Sequence, residues 1–179
     1  MKSNSKKRKI IKTSFQEFIN EENIFNNPEY AKIVGTDEEL LHQIDFNLEL
    51  AKEMPEEMYN YLSPKHKKMY RERMLEFGGP GLAHSENKSL IEDLVKYHFD
   101  KFEYEILDWI DMYHEMGNTE FPMSANVVNA LDEITQGRIL QRLINNLTYK
   151  VKVDKQIFNL LNKNIQSFIL KYSKIFVVG

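Results

Sequence analysis

The most regular feature of the chain is an apolar stripe between Glu86 and Met116, where large hydrophobic residues recur every three or four positions. That spacing places them along one side of an α-helix. The stripe consists of Ile91, Leu94, Val95, Phe99, Phe102, Ile106, Trp109, Ile110, Tyr113 and Met116. No glycine or proline interrupts it, and Ser85 precedes it as a candidate N-cap. A helix of about 31 residues would span about 46 Å, so the pattern predicts the central helix of a bundle.

Two further helices are predicted on the N-terminal side of the long one. The first begins at Thr36, which has capping-box spacing to Glu39, and its apolar residues continue to Met54. The second covers Lys65–Phe77, because the pair Ser63-Pro64 before it is typical of a helix start. A shorter helix over residues 14–22 has Phe15, Phe18 and Ile19 on one side.

The C-terminal third predicts two or three more helices. One begins at Ser124 and is interrupted near Gly137, where the apolar residues change their angular phase. Another begins at Asp154 and extends to about Tyr172. Between them, Tyr149–Val153 alternates apolar and charged residues, a pattern that leaves a short strand and a linker both open.

Together these patterns predict an all-α fold, a compact bundle of about five or six helices with one long central helix at about residues 86–116. Residues 14–179 are predicted to form a single helical domain, preceded by a flexible basic arm over residues 1–13. The 11 phenylalanines and nine tyrosines supply enough apolar surface for a core. The sequence predicts no internal repeat.

The absence of cysteine excludes thiolate catalysis and cysteine-based metal sites. It also fits a reducing compartment, and we expect an intracellular, cytoplasmic protein. No run of 18 apolar residues occurs, so the sequence predicts no membrane span.

Charge is strongly segregated along the chain, although the net charge is only −3. Two stretches are acidic, residues 13–62 and 76–120, and three are basic, residues 1–12, 63–75 and 121–179. One interpretation is that acidic helices pair with basic ones inside the fold. The other is that an acidic face binds a basic partner.

The second interpretation predicts a non-enzymatic helical module that binds another protein, for example as an inhibitor, an immunity factor or an accessory subunit. It requires neither a cofactor nor a metal. Phe46 and Tyr104, which lie off the main apolar stripes, would add aromatic contacts. The acidic residues predicted to contact the partner are Glu38, Asp45, Glu49, Asp100, Glu103 and Asp111.

An alternative hypothesis is a nucleic-acid-binding protein that uses the basic arm and the basic helix at residues 65–73. Tyr70 could stack on a base, and the basic residues of the C-terminal block could contribute. The predicted phosphate contacts are Lys6, Lys7, Arg8, Lys9, Lys67, Lys68, Arg71 and Arg73. The sequence pI of about 6.0 argues against this hypothesis, because the acidic stretches would repel a polyanion.

A second alternative is a metal-dependent enzyme with a carboxylate and histidine site in a helical bundle. Glu39 and His42, and likewise Asp111 and His114, have the three-residue spacing that places two ligands on one helix face. Both pairs fall on acidic rather than apolar stripes, so a solvated surface is favoured over a metal site. The glycine-rich turn at residues 78–81 lacks the residues of a phosphate-binding loop and predicts a simple interhelical turn.

Overall fold

The computed structural model describes residues 36–50, 52–145 and 150–179. These residues form nine helices and two short strands, so the predicted all-α fold with one long central helix is confirmed. In chain order the elements are α1 (Asp37–Glu49), α2 (Glu56–Tyr61), α3 (Pro64–Phe77), α4 (Gly79–Ala83), α5 (Lys88–Glu115), α6 (Ala125–Ala130), α7 (Glu133–Asn145), β1 (Val151–Val153), α8 (Lys155–Leu160), α9 (Lys163–Lys171) and β2 (Phe176–Val178). The predicted basic arm and the predicted helix at residues 14–22 lie outside the described residues.

The chain divides into two compact units, one ending at Tyr70 and the other beginning at Arg71. The single domain predicted for residues 14–179 stays a prediction. In the described ranges, including the 28 residues of α5, no helix has an apolar stretch long enough to cross a bilayer.

In the first unit, α1 begins as the sequence predicts. The Thr36 hydroxyl accepts a hydrogen bond from the Glu39 backbone N–H, and the Glu39 carboxylate accepts one from Thr36 N. This reciprocal capping box satisfies two backbone donors that the first helical turn cannot pair. Leu40 and Ile44 are buried, but the helix ends at Glu49, before the predicted end at Met54.

The core of the first unit also contains two tyrosines. Tyr70 is fully buried, and its hydroxyl oxygen accepts a hydrogen bond from the Met54 backbone N–H at 3.1 Å. Burial raises the pKa of Tyr70 far above its usual range. Its ring lies 5.9 Å from that of Tyr59. Tyr70 therefore has a structural role and cannot stack on a nucleic-acid base.

In the second unit, α4, α6 and α7 pack against α5. The N-cap of α5 is Asn87, whose side-chain oxygen accepts from Leu90 N at 3.0 Å, rather than the predicted Ser85. The backbone leaves helical geometry at His98, which kinks the helix. Leu94, Phe102 and Ile106 of the predicted stripe are buried, so most of the stripe faces the core. Its last residue, Met116, was wrongly included, since it follows the end of the helix and is 58% exposed. The remaining half-buried members of the stripe are Val95, Phe99 and Tyr113.

A small parallel sheet lies near the C-terminus of the second unit. Val151 is in register with Phe176 and Val153 with Val178, and all of them except the half-buried Val178 are buried. The alternating pattern at Tyr149–Val153 thus includes a strand. Glu120 adds an isolated bridge to Lys152.

The second unit contains one arrangement twice, in the first helix pair (α6 and α7) and the second helix pair (α8 and α9). Each pair consists of a six-residue helix, an extended and buried leucine, a polar N-cap and a longer helix. Leu131 and Leu161 are the buried leucines, and Asp132 and Asn162 are the N-caps. The two pairs are offset by 30 positions in the sequence. This repeat escaped the reading of the sequence.

A glutamine at the equivalent position stabilises each turn, Gln136 in the first pair and Gln166 in the second. In the first pair the Gln136 side-chain amide donates to the carbonyl oxygens of Val128 and Leu131, both at 2.9 Å. In the second pair Gln166 donates to those of Phe158, at 2.8 Å, and Leu161, at 2.9 Å. The carbonyls of Val128 and Phe158 also accept from the backbone N–H groups of Leu131 and Leu161, both at 3.3 Å. The glutamines therefore add a second donor there and supply a donor to the leucine carbonyls at the two turns.

Candidate functional site

The inner side of α5, which faces α7, carries carboxylates that are already compensated. Glu103 forms an ion pair with Arg138 and accepts a hydrogen bond from Thr135 Oγ1 at 3.2 Å. Asp111 forms an ion pair with Arg142. Two of the six predicted partner-binding acids are therefore paired with the basic helix next to them, as the first interpretation of the charge pattern expects.

The outer face of α5, defined here as Asp100, Tyr104, Asp108, Met112 and Glu115, is exposed along its whole length. These residues follow one another at intervals of three or four positions, so they share one side of the helix after the kink. The Tyr104 side chain is 65% exposed and that of Met112 is 42% exposed. In the part of the chain that the structure describes, none of the three acids forms an ion pair. The face thus combines free negative charge with uncovered apolar surface.

A neighbouring carboxylate, Glu105, fills the space beside the glycine-rich turn. A Cβ built on Gly78 would lie 2.6 Å from Glu105 Oε2, and Gly78 has a φ of 55°, which side chains rarely adopt. Burial, together with the nearby charge of Asp108, raises the pKa of Glu105. Because a carboxylate occupies this space, a phosphate would meet a negative charge there. The simple turn predicted over residues 78–81 is wrong in part, since Gly78 is the N-cap of the short helix α4 and residues 79–81 lie within that helix.

The predicted partner-binding residues of the first unit are less uniform. Glu38 and Glu49 are exposed on α1, whereas Asp45 is half-buried and has a partner within the chain. The neighbouring Asp37 is bound by Lys65 and by His66 Nε2, the latter at 2.9 Å. These two hydrogen bonds lower the pKa of Asp37. Phe46, predicted to be an exposed aromatic, is half-buried.

The basic helix of the nucleic-acid hypothesis is largely engaged with other residues. Arg71 is only 7% exposed, lies 3.5 Å from Asp93 and stacks over the ring of Tyr97. Arg73 forms an ion pair with Glu76 at 2.7 Å. In the first unit, Lys67 lies over the Tyr59 ring, and Lys68, though exposed, has a partner within the chain. The arm residues Lys6, Lys7, Arg8 and Lys9 lie outside the described residues.

The metal hypothesis gains no support in the described ranges, where no group of three or more acidic or histidine side chains converges. Glu39 is used in the capping box, and His42 is exposed. Asp111 and His114 do lie together in an open pocket of about 510 Å³. The pocket is lined by Asp111, His114, Glu115, Arg142 and Asn145. The ion pair of Asp111 with Arg142 leaves this carboxylate a poor metal ligand.

Two features of the surface were missed by reading the sequence. Met112 was not recognised as part of an exposed face, because it was not distinguished from the stripe residues around it. The exposed lysines of α9 were treated only as part of a basic block. The spacing of Lys163, Ser167 and Lys171, four residues apart each time, was a signal that could have revealed a shared face.

Comparison of the chain with protein-family models, with characterised proteins and with solved structures gives no match.

Proposed function

We propose that the chain is a non-enzymatic helical module that binds another protein, one with a basic surface, through the outer face of α5. The observation that carries this proposal is the position of Tyr104. Its ring is exposed in the middle of the face, one helical turn from Asp100 on one side and from Asp108 on the other. A large exposed ring between two charges without ion pairs in the described part of the chain is suited to a pocket in a partner, because tyrosine combines an apolar ring with a polar hydroxyl group.

The composition of the face matches the known chemistry of protein interfaces. Tyrosine and methionine are enriched in interfaces, and tyrosine is one of the residues that most often dominate the binding energy. The unbranched Met112 side chain can adapt its shape to a partner. The surrounding carboxylates would accelerate encounter with a basic surface and would select against acidic ones.

The two acids of α5 that form ion pairs, Glu103 and Asp111, are not part of the proposed binding face. Since Glu103 and Asp111 already form ion pairs with α7, a partner would have to displace an arginine to reach them. Among the acids of α5 predicted from the sequence, Asp100 is retained, and Asp108 and Glu115 are added. An inhibitor, an immunity factor and an accessory subunit would all use such a face, and the identity of the captured partner distinguishes them.

A capture experiment tests the proposal. The tagged chain is used to capture proteins from nuclease-treated lysate of the source cells, and the captured proteins are quantified by mass spectrometry. We expect one dominant protein for the wild type and its loss for the variant Asp100→Lys/Tyr104→Ala/Asp108→Lys. A truncated hot-spot tyrosine alone costs about 2 kcal/mol or more, which is about 30-fold in affinity.

The matched control changes the same amount of charge elsewhere. The variant Glu56→Lys/Glu57→Lys reverses two exposed acids on α2, neither of which is a predicted partner contact, and should leave capture unchanged. Equal capture by the wild type and the α5 variant would contradict the assignment. Loss of capture in both variants would show that net charge, and not the outer face of α5, is recognised.

A further inference from the structure

The outer face of α9, defined here as Lys163, Asn164, Ser167, Leu170 and Lys171, differs in chemistry from the rest of the second unit. All five residues are exposed. At about 100° per residue they lie within an arc of about 120° on one side of the helix. Ile165 and Ile169, on the opposite side, are buried. The second helix pair therefore presents to solvent a helix face that is basic and polar except for Leu170, which is 61% exposed.

The positive charge around this face is not compensated. Residues 150–179 contain six lysines and one aspartate, and all six lysines are exposed. Within the described residues none of these lysines forms an ion pair. The aspartate, Asp154, is used as the N-cap of α8, where it accepts hydrogen bonds from Gln156 N and Ile157 N. Such an excess of free positive charge attracts a polyanion.

The first helix pair shows that this charge is not a requirement of the fold. At the positions that correspond to the two lysines, α7 has Glu133 and Gln141. Its own basic residues, Arg138 and Arg142, lie on the side that faces α5 and form ion pairs there. The first helix pair folds with Glu133 and Gln141 at these positions. Lysines at the equivalent positions of α9 are therefore not needed for the arrangement to fold.

We propose that the second helix pair binds a nucleic-acid duplex, with the outer face of α9 against the groove. In helix-turn-helix proteins a helix and a turn of three or four residues precede the helix that enters the major groove. The second helix pair has the same order of elements with a shorter turn, Leu161-Asn162. Lys163 and Lys171 contact phosphates of the backbone. Ser167, between the lysines on the helix surface, and Asn164, next to Lys163, have the donors and acceptors that read base edges. The Asn164 amide donates to Glu133 Oε1 at 3.4 Å and exchanges this bond for one to a base on binding. The site includes no residue of the outer face of α5 or of the basic helix α3.

Fluorescence anisotropy with a labelled DNA duplex of about 20 base pairs tests this assignment, using the full chain at several salt concentrations. We expect binding that weakens steeply with salt. The variant Lys163→Ala/Lys171→Ala should bind about tenfold more weakly, and its salt dependence should fall by about two charges. Because both lysines are exposed, circular dichroism of this variant should match that of the wild type.

Two control variants locate the site. Lys88→Ala/Lys101→Ala makes the same change in net charge on exposed residues of α5 and should bind the duplex like the wild type. Replacing Lys6, Lys7, Arg8 and Lys9 by alanine should leave the effect of the α9 variant intact. An α9 variant that binds like the wild type, or a loss confined to the arm variant, would overturn the proposal. Binding to anionic phospholipid vesicles without binding to the duplex would also overturn it.

Discussion

The two helix pairs of the second unit have the same local architecture and opposite surroundings. In the first pair the arginines of α7 turn towards α5 and neutralise Glu103 and Asp111. In the second pair Phe168 and Tyr172 take the positions of those arginines, and their rings lie 4.5 Å apart. The lysines of α9 are left on the outside. The comparison distinguishes the residues that both helix pairs need in order to fold from the residues that differ between the pairs.

What the two pairs share is a buried leucine, a glutamine that bonds the turn and a polar N-cap. Asn129 also joins them, since its side-chain oxygen accepts from Asn162 N at 2.9 Å and its amide donates to Leu160 O at 2.8 Å. Asn159, its counterpart in the second pair, is exposed. The residues that the two pairs share stabilise the turns. The residues that differ determine the chemistry of the outer helix faces.

The largest expected effect is on the leucines at the two turns. Leu131→Ala and Leu161→Ala each remove a buried side chain and leave a cavity, which costs about 2–5 kcal/mol of unfolding free energy. Urea unfolding of each variant measures the cost. If either substitution costs less than about 1 kcal/mol, that leucine does not hold its turn, and the equivalence of the two pairs fails.

The glutamines should follow with a smaller effect. Gln136→Ala and Gln166→Ala each remove the side-chain donor to the leucine carbonyl at the turn, Leu131 O or Leu161 O, at a cost of about 1–3 kcal/mol. Gln136 is buried and Gln166 half-buried, so the first variant should lose more stability, because water can replace the lost donor at Gln166. Gln141→Ala is the control, since Gln141 is exposed and donates only to the side chain of Asn145. An equal loss from Gln141→Ala would show that the turn bonds are not the cause.

The smallest expected effect concerns the pH dependence of the free energy of unfolding. The N-cap Asp132 contributes to this dependence, and the N-cap Asn162 does not. The hydrogen bond from the Thr135 backbone N–H to Asp132 holds the pKa of Asp132 below its usual range. A carboxyl group with a lowered folded-state pKa stabilises the fold above its unfolded pKa of about 3.8. That stabilisation is lost as the pH falls through the lower folded value. The cap of the second pair, Asn162, does not titrate.

The variant Asp132→Asn tests this difference, since asparagine keeps the cap and removes the charge. Unfolding between about pH 5 and pH 2 should lose stability less steeply for the variant than for the wild type. The reverse substitution, Asn162→Asp, should make the loss steeper. Parallel curves for all three proteins would contradict the role assigned to the Asp132 carboxylate.

Helices were predictable from the sequence to the extent that periodicity and capping determine them locally. Phe102 and Trp109 of the long stripe are buried as its spacing predicts, although Met116 at its end is exposed, and the capping box at Thr36 is present. The predictions of helix ends were less accurate. The apolar pattern of α1 continues to Met54, but the helix ends at Glu49. The repeat was missed because its shared residues are few and their hydrogen bonds appear only in three dimensions.

The candidate surfaces were harder to predict for a different reason. Asp108 and Asp111 are three residues apart and chemically identical, yet Asp111 is paired with Arg142 and Asp108 has no ion pair in the described ranges. Which acid is compensated depends on the packing of α7, a contact more than 30 residues away in sequence. Periodicity indicates that a face is polar, but only the fold shows whether a partner already occupies it.

The most direct test of the central proposal is the rate of association between the chain and its captured partner, measured at low and high salt. Asp100→Lys/Asp108→Lys should slow association about tenfold or more at low salt, and the difference should shrink as salt screens the charges. Tyr104→Ala should instead speed dissociation. If neither rate changes in either variant, the outer face of α5 is not where the partner binds.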